Sequence, residues 1–201
     1  MIGKILFYEL RQRFFHWSTL LYYLMLVFQG IWYTKGNFDY YINEDLFINS
    51  PSVFYKNLAS GGMLMIIIVA IVTGTALYKD IQHKTGHWLY TLPIHEKHFY
   101  LARFLSAFLF NVLLATGYIV GMVLVPYSGI GEAHQFGPLP LGQLIHGFIF
   151  LTVPNLFLLT SLFFFSLVFS KKMAVAYLSI LATVIAFLLM FEITLSLVGL
   201  Y

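Results

Sequence analysis

The sequence contains no cysteine and few charged residues. Of its 201 residues, 9% are Asp, Glu, Lys or Arg and 60% are hydrophobic, with a mean hydropathy of +0.85. The absence of cysteine excludes disulfides, thiolate metal sites and a cysteine nucleophile. About 25% of a typical soluble domain is charged, so this chain lacks the polar side chains to cover a water-exposed surface. Its composition indicates a protein whose solvent is lipid, with a length that fits five or six spans of about 20 residues each.

Patterns for nucleotide hydrolysis, nucleophilic catalysis and zinc proteolysis are also missing. No Gly-x-x-x-x-Gly-Lys-Ser/Thr, Gly-x-Ser-x-Gly or His-Glu-x-x-His pattern occurs, so we expect the chain to hydrolyse no ATP by itself and to be no enzyme. The formal charge of +3 includes no long basic run, which argues against nucleic acid as a partner. Charged residues from Glu9 to Arg13 interrupt any apolar core of a signal peptide, so we expect the first span to be retained.

Five apolar segments are predicted to be transmembrane helices. The second contains the run MLMIIIVAIVTGTAL, which has no charged residue, and such runs are the strongest sequence signal of a membrane span. Backbone groups in lipid must be satisfied internally, and strand-like alternation is absent, so the fold should be an all-α, polytopic helix bundle. The predicted spans are Trp17–Tyr33, Gly61–Tyr78, Phe104–Tyr127, Leu144–Ser170 and Met173–Tyr201.

Lysine and arginine are distributed unevenly between the two ends of these spans. Only Lys35 and Lys56 fall on the side of the predicted outer loops, Thr34–Ser60 and Ser128–Gln143. Cytoplasmic loops carry the excess of basic residues, so we expect the N-terminus and the 79–103 loop to be cytoplasmic. The nine basic residues on that side are Lys4, Arg11, Arg13, Lys79, Lys84, Lys97, Arg103, Lys171 and Lys172.

A short amphipathic helix is predicted before the first span. Ile2, Leu6, Leu10, Phe14 and Trp17 recur every three to four residues. Such a stripe is typical of a helix that lies in the membrane interface with its cationic groups toward the headgroups. The alternative is a plain extension of the first span.

The segment from Tyr78 to Phe104 is the densest polar part of the chain and holds four of its seven histidines. His83 and His87 have a spacing that can hold zinc on one helix face, but no further ligand lies in register. We therefore prefer a short cytoplasmic helix, ended by Pro93, that touches a partner. The alternative is a passive loop that lies on the headgroups.

Polar or small residues inside the spans allow functional and structural interpretations. Glu192 is the only acidic residue in an apparent span; it would either face a bundle interior as a functional group or snorkel to the outer surface. His146 could ligate haem b, but it has no intramembrane histidine partner. Gly117 and Gly121 form a Gly-x-x-x-Gly pattern, which favours close helix packing rather than a functional role.

Several short motifs resemble, in order and spacing, the membrane region of ABC-2-type transporter permeases. The chain is similar in particular to bacterial permeases whose membrane region is, in longer members, fused to an M1-type aminopeptidase module. The similarity covers nearly the whole chain, but the peptidase module is absent and none of its chemistry carries over. The motifs are Tyr8-Glu9-Leu10 with Arg11 and Arg13, Asn49-Ser50-Pro51, Tyr78-Lys79-Asp80, Thr85, Leu89, Tyr90-Thr91-Leu92-Pro93-Ile94, Lys97, Tyr100-Leu101, Arg103-Phe104-Leu105, Pro154-Asn155 and Lys171.

The resemblance implies an N-terminal elbow helix, six spans and a coupling helix between spans two and three. In that family the coupling helix binds in a groove of a separate ATPase subunit, and the 79–103 loop lies at the corresponding place. The contact residues that we then expect are Lys84, His87, Trp88, Leu89 and Tyr90. The chain would be the permease subunit of an exporter in a bacterial inner membrane. It would bind no cofactor itself and pair with a second permease protomer.

One departure from that family and two other functional classes stay open. Only five spans are visible, so either the chain is a truncated or split half or its last segment bends back. The other classes are a haem-b and quinone-binding anchor of a redox complex and a structural subunit of a membrane assembly.

Overall fold

The computed structural model describes residues 2–36, 47–82, 96–129 and 133–198. Within these ranges the regular elements are eight α-helices, two short 3₁₀ turns and one π-helical segment, Phe148–Thr152. The helices are α1 (Ile2–Phe14), α2 (Trp17–Gly36), α3 (Pro51–Ser60), α4 (Gly62–Gln82), α5 (Glu96–Leu124), α6 (Leu141–Gly147), α7 (Val153–Ser170) and α8 (Met173–Val198).

Two stretches of the described chain are long and apolar enough to cross a membrane, Glu96–Tyr127 and Leu141–Ser170. Up to four spans are present if each of two bent helix pairs counts as one: α1 with α2 bends by 73°, and α3 with α4 bends by 52°. A shorter apolar helix, Tyr177–Met190, lies within α8. The all-α prediction is thus confirmed for the described residues, whereas the five or six spans and the elbow helix stay predictions.

The observed helices extend beyond the predicted spans into segments assigned to loops. Residues 51–60, predicted as outer loop, form α3. Pro51 stands in its first turn, where a missing N–H costs no hydrogen bond, and Ser50 has the extended backbone (φ −67°, ψ 155°) that precedes proline. Similarly, α5 begins at Glu96 rather than Phe104, with an acidic residue in its first turn that suits the helix dipole. A hydropathy criterion finds only the apolar part of such helices.

Contacts along α5 define the directions of its neighbours. Tyr23 lies against Gly117 and Gly30 lies against Gly121, so α2 runs parallel to α5. The other neighbouring helices alternate in direction, with α4 and α7 antiparallel to α5 and α8 antiparallel to α7. The contacts that show this are Gly61–Tyr118, Thr73–Asn111, Thr160–Asn111, Phe164–Phe104 and Ser166–Ser179.

With the helices running in these directions, most of the described basic residues lie at one end of the bundle, which we call the basic end. Of the described lysines and arginines, only Lys35 and Lys56 lie at the opposite end, which we call the outer end after the loops predicted there, while Lys84 lies outside the described residues. The uneven charge distribution expected from the sequence is therefore kept in the fold. The basic end carries Lys4, Arg11, Arg13, Lys79, Lys97, Arg103, Lys171 and Lys172.

Helices α2 and α5 approach each other closely at the Gly-x-x-x-Gly pattern. A Cβ atom on Gly121 would overlap the carbonyl oxygen of Val27, and one on Gly30 would overlap the carbonyl oxygen of Tyr118. Gly117 faces the backbone of Tyr23. The pattern therefore has the packing role that the sequence favoured, since small residues let two helix backbones meet directly.

We expect Gly121→Ala to destabilise the protein by about 1–3 kcal/mol, the usual cost of forcing extra atoms into a packed contact. The measurement is the unfolding midpoint in mild detergent. Gly74→Ala in α4 is the matched control, because its Cβ would meet only Leu167 Cδ1 at 3.9 Å. The control should be neutral or slightly more stable, since alanine favours helix by about 1 kcal/mol over glycine. Equal midpoints for the two variants would contradict this packing.

Candidate functional site

A buried carboxylate joins α1 to α5 at the basic end. Glu9 is only 7% exposed, and both of its oxygens accept from neighbouring donors. Its Oε1 forms an ion pair with Nη1 of Arg103, and its Oε2 lies 3.4 Å from Nη2 of Arg13 and 3.1 Å from Oγ of Ser106. We call these four residues the foot cluster. They connect the first helix of the chain to the helix that follows the 83–95 segment.

Helical spacing brings the four members together. Glu9 and Arg13 are four residues apart on α1, and Arg103 and Ser106 are three apart on α5, so each pair shares a helix face. The face of α1 that meets α5 therefore centres on a charged residue. The predicted apolar stripe is buried only in part, because Phe14 and Trp17 at its end are 58% and 85% exposed.

Aromatic rings complete the surroundings of the two arginines. The Arg13 guanidinium lies 5.9 Å from the ring centre of Phe110, and that of Arg103 lies 5.2 Å from the ring centre of Phe99. A guanidinium over a ring face gains a cation–π attraction, which is larger where water is excluded. The cost of burying these charges is thus offset by ion pairing, hydrogen bonding and ring contacts together.

Hydrogen bonds fix the corner between α1 and α2. The Thr19 hydroxyl donates to the carbonyl oxygen of Arg13 at 2.5 Å, and the backbone N–H of His16 donates to the same oxygen at 3.1 Å. The Thr19 N–H donates to the carbonyl oxygen of His16 at 2.9 Å. The carbonyl oxygen of Arg13 in the last turn of α1 is satisfied in this way, so the 73° bend is a defined corner.

A cavity of about 430 Å³ opens beside the foot cluster, between the α1–α2 corner and α4, with α5 as its floor. Its deep wall includes Val72 and Phe110, which are buried. Gln12, His16 and Thr75 on its rim are exposed. The lining thus combines the charged groups of the foot cluster and a polar exposed rim with buried apolar side chains.

A polar contact halfway along the bundle joins three helices. Nδ2 of Asn111 on α5 lies 3.3 Å from Oγ1 of Thr73 on α4 and 3.1 Å from Oγ1 of Thr160 on α7. All three side chains are buried, with exposures of at most 1%. Polar side chains in apolar surroundings act as interhelical links. The only sequence signal for this link is polar residues inside apolar runs, which does not indicate which of them meet.

At the outer end, Asn49 joins the segment before α3 to the segment before α6. Its Nδ2 donates to the carbonyl oxygen of Gly137 at 2.6 Å, and its Oδ1 accepts from the N–H of Gly137 at 2.8 Å. The neighbouring Ile48 N–H donates to the carbonyl oxygen of Gln135 at 3.0 Å. The Asn49-Ser50-Pro51 motif thus both starts α3 and connects it to the segment before α6.

The predicted partner-contact residues lie outside the described part of the chain. This applies to Lys84, His87, Trp88, Leu89 and Tyr90. The backbone at Glu192 lies in the C-terminal part of α8, and its side chain is also outside the description.

His146, the residue considered as a haem ligand, and His16 lie at opposite ends of the bundle. Nδ1 of His146 lies 3.2 Å from the Tyr55 hydroxyl at the outer end, while His16 is at the basic end, so these two side chains cannot ligate one iron. Within the described residues, no group of three or more His, Cys, Asp or Glu side chains could hold a metal ion.

Residues from distant motifs meet in the folded chain. Glu9 contacts Arg103 at the basic end, although 93 residues separate them, and Asn49 contacts Gly137 at the outer end.

Comparison with models of protein families, with curated proteins and with solved structures finds no match.

We expect Glu9→Gln to destabilise the protein by about 3 kcal/mol, the lower end of the range for breaking a buried ion pair, because two arginines lose their carboxylate. Unfolding in mild detergent measures this loss. Glu96→Gln is the matched control, since it removes an exposed carboxylate from the start of α5 and should change stability by less than about 0.5 kcal/mol. A Glu9→Gln variant as stable as the control would show that the foot cluster does not hold α1.

Proposed function

We propose that this chain is the permease subunit of an ABC-2-type ATP-driven transporter, an exporter in a bacterial inner membrane with its N-terminus in the cytoplasm. The observation that carries the proposal is the ion pair between Glu9 and Arg103. Both residues belong to motifs on which the resemblance rests, and a functional unit at the basic end explains why those motifs occur together. ATP would be bound by a partner subunit, and the chain itself would be no enzyme.

The position of α1 supports its proposed role as an elbow helix. The helix bends away from α2 by 73° and is attached to the start of α5 by the foot cluster. Exposed aromatic side chains surround the corner, with Phe15 79% and Trp17 85% exposed. Aromatic residues favour the boundary between headgroups and lipid tails, so we infer that α1 lies at that boundary.

The connection between α4 and α5 supports the proposed coupling. Residues 83–95 join these helices at the basic end, where the described lysines and arginines concentrate. A partner that moves this segment would also move the start of α5, and Glu9 would transmit that motion to the α1–α2 corner. Such coupling requires that the ATPase contact the two conformations differently. We propose Lys84, His87, Trp88, Leu89 and Tyr90 as the contact residues.

We expect the full chain, purified from its own membranes in mild detergent, to carry a P-loop ATPase and a second permease protomer. Charge reversal at Lys84 combined with Trp88→Ala should abolish the ATPase activity that the intact complex shows above that of the separated ATPase. Membrane insertion should be unchanged, because neither substitution lies in a predicted span. Co-purification and ATP hydrolysis are the two measurements.

Lys172→Glu is the matched control for the loss of positive charge. Lys172 is an exposed residue at the same end of the bundle, in the turn between α7 and α8, so its reversal should leave ATP hydrolysis unchanged. An absorbance band of haem in the purified protein, or co-purification with a membrane assembly that contains no ATPase, would refute the transporter. Unchanged ATP hydrolysis in the Lys84 and Trp88 variant would refute the assigned contact.

A further inference from the structure

We propose that the cavity beside the foot cluster binds a phosphate group, and that an anionic phospholipid of the adjacent leaflet supplies it. The cavity volume of about 430 Å³ falls within the range of about 300–1,000 Å³ that is usual for ligand sites. The proposal requires no ATPase and no transport, so it holds or fails separately from the proposed function.

The charges that line the cavity favour an anion over a cation. Two guanidinium groups, Arg13 and Arg103, and one carboxylate, Glu9, belong to its lining, which leaves a surplus of positive charge. Glu9 already accepts from both arginines and from Ser106, so a cation would have to compete with them for its oxygens. A phosphate instead complements guanidinium groups, whose planar forks match its oxygens.

A neutral donor adds to the charged groups of the cavity. Gln12 offers an amide at the exposed rim, whereas the Thr19 hydroxyl donates to the Arg13 carbonyl oxygen and the Ser18 hydroxyl lies 2.5 Å from Nδ1 of His16. Phosphates of lipid headgroups accept hydrogen bonds from neutral amides, and stronger ones from charged guanidinium groups. The cavity therefore has both kinds of donor for a phosphodiester, with the amide on the side where the rim is exposed.

The interior of the cavity favours a lipid over a free phosphate. Val72, Phe110 and the ring of Tyr22 form its apolar wall, against which an acyl chain or glycerol backbone gains by leaving water. An inorganic phosphate ion gains nothing from that wall. The exposed aromatic residues at the α1–α2 corner put the cavity at the depth where lipid headgroups lie.

The test is an equilibrium titration of the purified full chain in neutral detergent. The probes are short-chain phosphatidylglycerol, diacylglycerol with the same acyl chains, and inorganic phosphate. We expect phosphatidylglycerol to bind at least about tenfold more tightly than either of the others, because only it combines the phosphate with apolar chains. Diacylglycerol binding as tightly as phosphatidylglycerol would overturn the phosphate site. Inorganic phosphate binding as tightly would overturn the lipid as its source.

Two variants and a matched control locate the site. Arg13→Gln should weaken phosphatidylglycerol binding at least about tenfold, since it removes one charged contact. Arg11→Gln removes the same charge from an exposed position of the same helix outside the cavity and should weaken binding less than about twofold. Thr75→Phe fills the cavity without a change of charge and should also weaken binding, so the test remains decisive if Arg13→Gln folds poorly. Equal losses for the two arginine variants, or wild-type affinity for Thr75→Phe, would overturn the proposal.

Discussion

A carboxylate removed from water must keep its donors, and this requirement at Glu9 sets the arrangement of the basic end. Glu9 keeps its charge partners only while α1 lies beside the start of α5, where Arg103 and Ser106 reach both of its oxygens. This position of α1 determines the bend between α1 and α2, the cavity next to the bend and the exposed aromatic corner. Hydrophobic packing alone would let α1 slide along the bundle, whereas an ion pair with defined partners selects one position.

Polar contacts at three heights join the helices of the bundle. The foot cluster lies at the basic end, Asn111 bridges Thr73 and Thr160 halfway along, and Asn49 bonds Gly137 at the outer end. Between them, α2 and α5 meet backbone to backbone at glycines. α5 takes part in the first two contacts and in the glycine packing, so a displacement of its start would reach α1, α4 and α7 together. That property is what the proposed coupling through the 83–95 segment needs.

The sequence predicts the helical class well because lipid leaves a hydrophobic chain few ways to satisfy its backbone. It also predicts the packing role of Gly121, because the Gly-x-x-x-Gly pattern is visible within a single helix. It misses α3 and the first turns of α5, because hydropathy marks the apolar part of a helix and not its ends. The burial of Glu9 and its pairing with Arg103 could not be predicted, because helical periodicity carries no information about a partner so distant in the sequence. The contact residues around Trp88 stay a prediction, as they lie outside the described part of the chain.

The most direct test of the central claim, that Glu9 and Arg103 hold α1 to α5, is a double-mutant cycle with Glu9→Gln and Arg103→Gln. Unfolding free energies in mild detergent would be compared for the wild type, the two single variants and the double variant. We expect the double variant to lose less than the sum of the single losses, with a coupling of about 1.5–3 kcal/mol for a charged hydrogen bond. Losses that add to within about 0.5 kcal/mol would contradict the claim, because independent sites behave in that way.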